Sequence, residues 1–221
     1  MTIAWTEGAT APVERASFAD GVHAVRVGGD LVLLDLAADD YLCLPDCGAL
    51  EISGRDVCGG VDAILRLAAE ELLHPSRRPN DRASPLALPM ERLPAAPPTR
   101  PTARDVAAFG KIWFETVLRR PTLSRLSDRY ASRKGQRDDL AAVAERVEVF
   151  RQLLPLAPWT GECLFQAELL LRFLNAAGLD ADWVFGVRTF PFLAHCWLQI
   201  GPCCVSEAPE TLTVYRPILV V

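Results

Sequence analysis

Long apolar runs are missing from this sequence of 221 residues. None approaches the roughly 18 residues that a membrane span requires, because residues 31–36 are cut by Asp35, and residues 64–73 by Arg66, Glu70 and Glu71. An integral membrane protein, or a membrane partner, is therefore not expected. Histidine is scarce, with three residues, and no C-x-x-C occurs among the seven cysteines. Cys43 and Cys47 lie four apart, Cys58 stands alone, and Cys203 and Cys204 are adjacent. That spacing excludes a zinc knuckle, and neither a metal nor a cofactor is implied. The first ten residues hold Glu7 but no basic side chain and no apolar segment, so no secretory signal is read there. The expected compartment is the cytoplasm, where the cysteines act as small buried apolar residues.

Basic residues are outnumbered, with 23 Lys and Arg against 28 Asp and Glu, for a net charge of -5. This balance argues against a nucleic-acid partner, although one local basic stretch runs from Arg119 to Arg137. What the chain has in quantity is apolar material. Half of its residues are hydrophobic and 23% are charged, which places it among folded chains with a real core and room for one large domain or two small ones. No internal repeat is evident.

Proline sets the organisation. Eight of the 17 prolines (75, 79, 85, 89, 94, 97, 98 and 101) fall between His74 and Thr102, where they forbid a continuous helix or a central strand. The expected layout is a first domain over residues 1–78, a linker over 79–103 and a second domain over 104–221. The alternative is a long ordered connection draped over a single domain.

The first block reads as strands at 23–27, 31–35 and 41–44, with turns at Gly28-Gly29-Asp30 and at residues 37–40. A short helical piece is expected around 47–52. A helix follows in which Val61, Ile64, Leu65, Ala68 and Leu72 recur at helical spacing until His74-Pro75 ends it. The expectation is a small winged-helix-like unit with too little apolar material for a large pocket. It serves either as a binding module or as a cap on the second block.

The second block carries the chemistry. Helices are expected over 106–118 and 140–154, with Phe109, Ile112, Trp113, Leu118, Val143, Val147 and Phe150 as core positions. In Pro158-Trp159-Thr160-Gly161-Glu162-Cys163, Thr160 reads as an N-cap and Glu162 complements the positive helix end; Leu164, Ala167, Leu171 and Leu174 then form an apolar stripe closed by Gly178. Cys163 thus falls in the first helical turn, where the helix dipole and unpaired N–H groups favour a thiolate. Taken alone, a buried structural cysteine is the better reading. The strand over 194–200 puts His195, Trp197 and Gln199 on one face, read as the more polar one, and Ala194, Cys196, Leu198 and Ile200 on the other. A hairpin at Gly201-Pro202 closed by three loop residues would bring Glu207 beside His195, whereas a two-residue loop would turn Glu207 to the opposite face. A cysteine, a histidine base and an orienting carboxylate then converge. Glu210 or a backbone carbonyl competes with Glu207 for the orienting role. His23 and His74 read as structural or surface residues.

These residues carry a family resemblance. WTGECLFQAELLLRFLNAAG from Trp159, then VFGVRTFPFLAHCWLQIG and YRPILVV, resemble the B protein of lasso-peptide biosynthesis, a leader peptidase of the transglutaminase-like cysteine protease superfamily. The segment DDYLCLP resembles the PqqD-like precursor recognition element fused to this peptidase in many versions. The resemblance implies an α+β protein, with a PqqD-type domain followed by a transglutaminase-like, papain-like cysteine protease domain. It implies Cys163 as nucleophile, His195 as base and Glu207 as third member, where the family usually has Asp. It also implies that the precursor leader adds as a strand beside Tyr41, Leu42, Cys43 and Leu44 and packs against Ile64, Leu67 and Ala68. The implied partners are the precursor peptide and an ATP-dependent, asparagine-synthetase-like cyclase, the C protein. A transglutaminase-fold acyl or amide transferase and a non-catalytic precursor carrier remain open.

Overall fold

The computed structural model describes residues 13–47, 50–74, 87–119, 123 and 139–221. The chain divides into two compact units, Met1–Ser84 and Pro85–Val221. The second unit takes in residues 85–103, which the sequence reading assigned to a linker. Residues 79–86 and 120–122, and most of the basic stretch after Arg119, lie outside the described residues.

In the first unit, β2 (Val22–Val27), β3 (Asp30–Asp35) and β4 (Asp40–Leu44) form an antiparallel meander in that order. The β2–β3 loop has two residues, Val27 pairing with Asp30, and Gly28 takes φ +62, a conformation that only glycine adopts cheaply. At the next turn the Asp35 carboxylate accepts from the N–H groups of Ala37 and Ala38. The central strand is buried along both faces from Leu31 to Leu34.

A second sheet has the order β1-β6-β5, from β1 (Val13–Ser17), β5 (Glu51–Ser53) and β6 (Asp56–Gly60). Residues 51 and 52, expected to end a short helical piece, therefore belong to a strand. The cause is the hairpin turn at Gly54, with φ +60, which pairs Ser53 with Asp56 and Ile52 with Val57. Helix α1 (Val61–Ala69) is the one helix among the described residues of this unit. It turns Ile64 and Leu67 into a core shared with Leu31, Leu33, Leu44, Leu50 and Val57. The sequence predicted no large pocket here. A cleft of about 790 Å3 nevertheless opens beside the second sheet, lined by Arg15, Arg26, Asp56 and Cys58 among others.

In the second unit three helices meet on an aromatic cluster. Phe109 of α2 (Ala103–Arg119), Phe150 of α3 (Leu140–Leu153) and Phe173 of α4 (Cys163–Asn175) lie 5.8 to 6.2 Å apart, centroid to centroid. Ion pairs lock the same helices: Arg146 of α3 with Asp105 of α2, and Arg172 of α4 with Glu115 of α2. The Arg146 guanidinium also lies over the Phe173 ring. Helix α4 is buried on nearly all sides, from Phe165 to Leu174, rather than along one stripe. Val106 and Leu118, by contrast, face solvent.

Helix α4 packs against a five-stranded sheet of order β11-β8-β9-β10-β7, built from β7 (Glu91–Arg92), β8 (Asp182–Arg188), β9 (Leu193–Ile200), β10 (Cys203–Cys204) and β11 (Arg216–Val220). The edge strand β7 comes from the proline-dense segment and runs parallel to β10. Edge strands tolerate nearby proline because one side of their ladder needs no donor. No helix among the described residues is long and apolar enough to cross a membrane.

Candidate active site

The segment before α4 fixes where Cys163 sits. The Trp113 indole N–H donates to the Trp159 carbonyl at 2.8 Å, and the Trp159 ring packs 4.7 Å from that of Phe165. Between them Gly161 takes φ +63, and a Cβ there would stand 2.7 Å from Phe165 Cβ. Glycine is required on both counts. The N-cap is Glu162, not Thr160 as the sequence suggested, and it makes no side-chain capping bond. Cys163 is consequently the first helical residue, where the backbone N–H groups have no intrahelical acceptor.

His195 lies on β9, opposite Gly186 of β8. Its face of the sheet is not polar. Trp197 and Gln199 are fully buried, because Leu88, Leu212 and Tyr215 cover that side. Gln199 satisfies its amide by accepting from Trp197 Nε1 and donating to the carbonyls of Ala87 and Gly201. The His195 ring is held by Tyr215 at 5.3 Å and Trp197 at 6.3 Å. Trp197 in turn lies across Gly186, whose missing side chain makes the space: a Cβ there would stand 2.6 Å from the indole.

Glu207 reaches His195 by an unexpected route. The β9–β10 loop has two residues, with Ile200 opposite Cys203 and Gln199 opposite Cys204. Continued, this register would put Glu207 on the wrong face. The ladder stops after Val205, whose N–H donates to the Leu198 carbonyl, and the hydroxyl of Ser206 accepts from Leu198 N–H in place of a backbone carbonyl. The chain then bends, and the Glu207 carboxylate comes to 2.7 Å from His195 Nε2. Its second oxygen accepts from the Thr211 hydroxyl at 2.7 Å. Glu210, the competing candidate, pairs with Arg92 on the surface.

Cys163, His195, Cys196 and Glu207 line one cavity of about 210 Å3, together with Gln166 and Arg151. The electrostatics within it favour a charge-separated pair. Hydrogen bonds first from the Cys196 thiol and then from His195 hold the Cys163 thiol down at about 4, against burial, which alone would raise it. Contact with Cys163 and then with Glu207 pushes His195 up to about 9. Burial would raise Glu207, but hydrogen bonds from His195 and Thr211 outweigh it and leave the carboxyl below its ordinary range. At neutral pH the site therefore holds a thiolate, an imidazolium and a carboxylate in a row. Sequence reasoning missed Thr211 and the aromatic wall of Tyr215, neither of which leaves a spacing signal.

Of the residues expected to bind a leader, β4 is the outer strand of its sheet, and Tyr41, Leu42 and Cys43 are half-buried on it. Leu44, Ile64 and Leu67 belong to the core and offer no open surface, because α1 turns its apolar stripe inward. Ala68 is exposed. His23 sits in β2, where burial and then Arg55 push its pKa down, and His74 follows α1.

A half-buried cysteine at a helix start lines one cavity with a histidine and a carboxylate, an arrangement that nucleophilic acyl-transfer chemistry can use. The chain belongs to the transglutaminase-like superfamily, whose family model matches residues 108–220 and so spans all three of these residues. It is also similar to the microcin J25-processing protein McjB of Escherichia coli, with 42% identity over 49 residues, 22% of this chain and 24% of the relative. That match thus spans about a quarter of the relative's length. No solved structure matches the chain.

Proposed function

We propose that this protein is the leader peptidase of a lasso-peptide pathway, acting in the cytoplasm on a ribosomally made precursor. The observation that carries the reading is the Cys163–His195–Glu207 row on a transglutaminase-like frame. Similarity to a protein named for processing microcin J25 supports the substrate class.

In this reading the Cys163 thiolate attacks the carbonyl carbon of the scissile bond. The resulting oxyanion develops beside the unpaired N–H groups that open α4. His195 donates Nε2–H to Glu207, so its other nitrogen faces the sulfur and protonates the departing amine. Water then attacks the thioester, His195 takes its proton, and the acid product leaves Cys163 free. Glu207 holds the imidazolium in this orientation, and Thr211 holds Glu207.

The first unit would act as the PqqD-like recognition element. An extended leader would add to the edge of β4, contacting Tyr41, Leu42, Cys43 and Ala68, with Leu44, Ile64 and Leu67 supporting the strand and helix from beneath. The freed amine would pass to an ATP-dependent cyclase, which closes the ring.

The test is incubation of wild type and Cys163→Ala with candidate precursors, read by mass spectrometry. Wild type should yield leader and core, whose masses sum to that of the precursor plus one water. Cys163→Ala should bind the precursor within a few fold of wild type and release neither. Cleavage by Cys163→Ala near the wild-type rate would reject the assignment, and a product joined to an added amine would indicate a transferase.

A further inference from the structure

The catalytic cavity, at about 210 Å3, is smaller than the roughly 300–1,000 Å3 of an ordinary ligand site. A second cavity of about 460 Å3 adjoins it, and Arg151 and Glu207 line both. Its lining includes residues 92–96 of the proline-dense segment and, on α3, Ala144 and Glu148. That segment is tied down on both sides. Before it, the N–H groups of Met90 and Glu91 donate to the Pro202 carbonyl and β7 pairs with β10; after it, Gln152 Nε2 donates to the Thr99 carbonyl at 3.0 Å. Pro94, Pro97 and Pro98 stiffen the span between, so the second cavity is a groove of fixed shape.

The charged groups around the two cavities are almost all satisfied. Both oxygens of Glu207 are taken, by His195 and Thr211. Arg92 pairs with Glu210, and Glu148 accepts from Gln152 at 3.0 Å. Among the described residues, the Arg151 guanidinium has no hydrogen bond and no ion pair. Its planar fork fits a carboxylate with two parallel bonds.

On the peptidase reading given above, we propose that this groove holds the part of the substrate beyond the scissile nitrogen, and that Arg151 is a specificity-determining residue pairing there with a substrate carboxylate. The direction follows from the order Cys163, His195, Glu207. His195 gives its proton to the departing nitrogen, so the chain beyond that nitrogen leaves toward Glu207, which lines the second cavity as well. Arg151 also lies in the last turn of α3, where a cation offsets the helix dipole. A role confined to the dipole predicts that Arg151→Gln lowers thermal stability and leaves the anion preference of the site unchanged.

Iodoacetate and iodoacetamide separate the two roles on the intact chain without any precursor. Both alkylate the same Cys163 sulfur, but one carries a carboxylate and the other a neutral amide. The ratio of their rates at Cys163, followed by peptide mass spectrometry at pH 7 and low salt, therefore cancels the reactivity of the sulfur. Arg151→Gln should lower the ratio of iodoacetate to iodoacetamide by about three- to fivefold, the size of one exposed ion pair. Arg151→Lys should keep most of the wild-type ratio, because the charge remains. Ala95→Glu, which adds a competing carboxylate to the groove lining, should lower the ratio in the same direction, and it decides the matter if Arg151→Gln fails to fold.

With a precursor that is cleaved, Arg151→Gln should raise KM by a similar factor and leave kcat in place, since the contact is remote from the reacting bond. Amidating the precursor's C-terminus, and separately changing the acidic residues of its core to their amides, identifies the carboxylate: the modification that abolishes the difference between wild type and Arg151→Gln removes the partner. An unchanged alkylation ratio in folded Arg151→Gln or in Ala95→Glu would overturn the proposal, and so would a difference in KM that survives both modifications. If no precursor is cleaved yet the ratios move as stated, the peptidase reading fails and the anion site stands. If precursors are cleaved and the ratios do not move, the anion site alone fails.

Discussion

Glu207 meets His195 at 2.7 Å although the strand register that precedes it points Glu207 to the other face of the sheet. The contact exists because the β9–β10 ladder ends at Val205 and the Ser206 hydroxyl takes over the next backbone partner. A bend of three residues thus does what register could not.

Glu207→Gln should keep the shape of this contact and lose the charge that stabilises the imidazolium. The expected outcome is a fall in kcat of about ten-thousandfold, by analogy with the loss of an orienting carboxylate from a catalytic triad. Glu207→Asp should retain more activity than Glu207→Gln, since it keeps the charge at shorter reach. Wild-type kinetics in Glu207→Gln, on a precursor that Cys163→Ala leaves intact, would remove Glu207 from the mechanism.

The pH profile of kcat/KM should be bell-shaped. With the Cys163 thiol held at about 4, the thiolate is lost as pH falls through that value; with His195 raised to about 9, the proton for the leaving amine is lost as pH rises through it. Activity should therefore be flat near neutrality. Glu207 is one of the contacts that raise His195, so in Glu207→Gln the alkaline limb should shift toward lower pH. A limb that stays in place would contradict the coupling.

Thr211→Val should lower kcat/KM by about tenfold, because it removes the hydrogen bond that anchors the second Glu207 oxygen. Thr211→Ser should restore most of the rate. Equal losses in the two variants would point to a packing role instead.

Gly186→Ala should destabilise the second unit by about 1–3 kcal/mol, since the new Cβ meets the Trp197 indole at 2.6 Å in a core with no room to yield. Because Trp197 stacks beside His195, cleavage should fall as well. Thermal melts and precursor kinetics on the same sample check both effects; an unchanged melting temperature would mean that the indole shifts freely.

A fragment spanning Met1–Ser84 should fold and bind the leader peptide, as expected of a separate compact unit in which β4 is, among the described residues, an outer strand of its sheet. Calorimetry on the folded fragment would show this directly. Absence of binding, where the full chain binds, would assign the leader site elsewhere.

The parts of the fold that depend on near neighbours in the chain are written in the sequence. Alternation and turn residues give β2, β3, β4 and β9. Helical spacing gives α1, α2, α3 and α4, with Cys163 in the first turn of α4, although the N-cap is Glu162 and not the Thr160 that the sequence suggests. Pairing between distant segments is a different matter, because no local period records which strand a segment will meet. The strands β1, β5 and β6, and the recruitment of β7 from the proline-dense segment, emerge only when the sheets assemble. The same holds within the site. Cys163 and His195 can be picked out by residue type and element, but the bend that delivers Glu207 and the hydroxyl of Thr211 behind it are set by packing in three dimensions. Each of these contacts satisfies a buried or half-buried polar group. Which partner is available to do so depends on where the folded chain has already placed its neighbours.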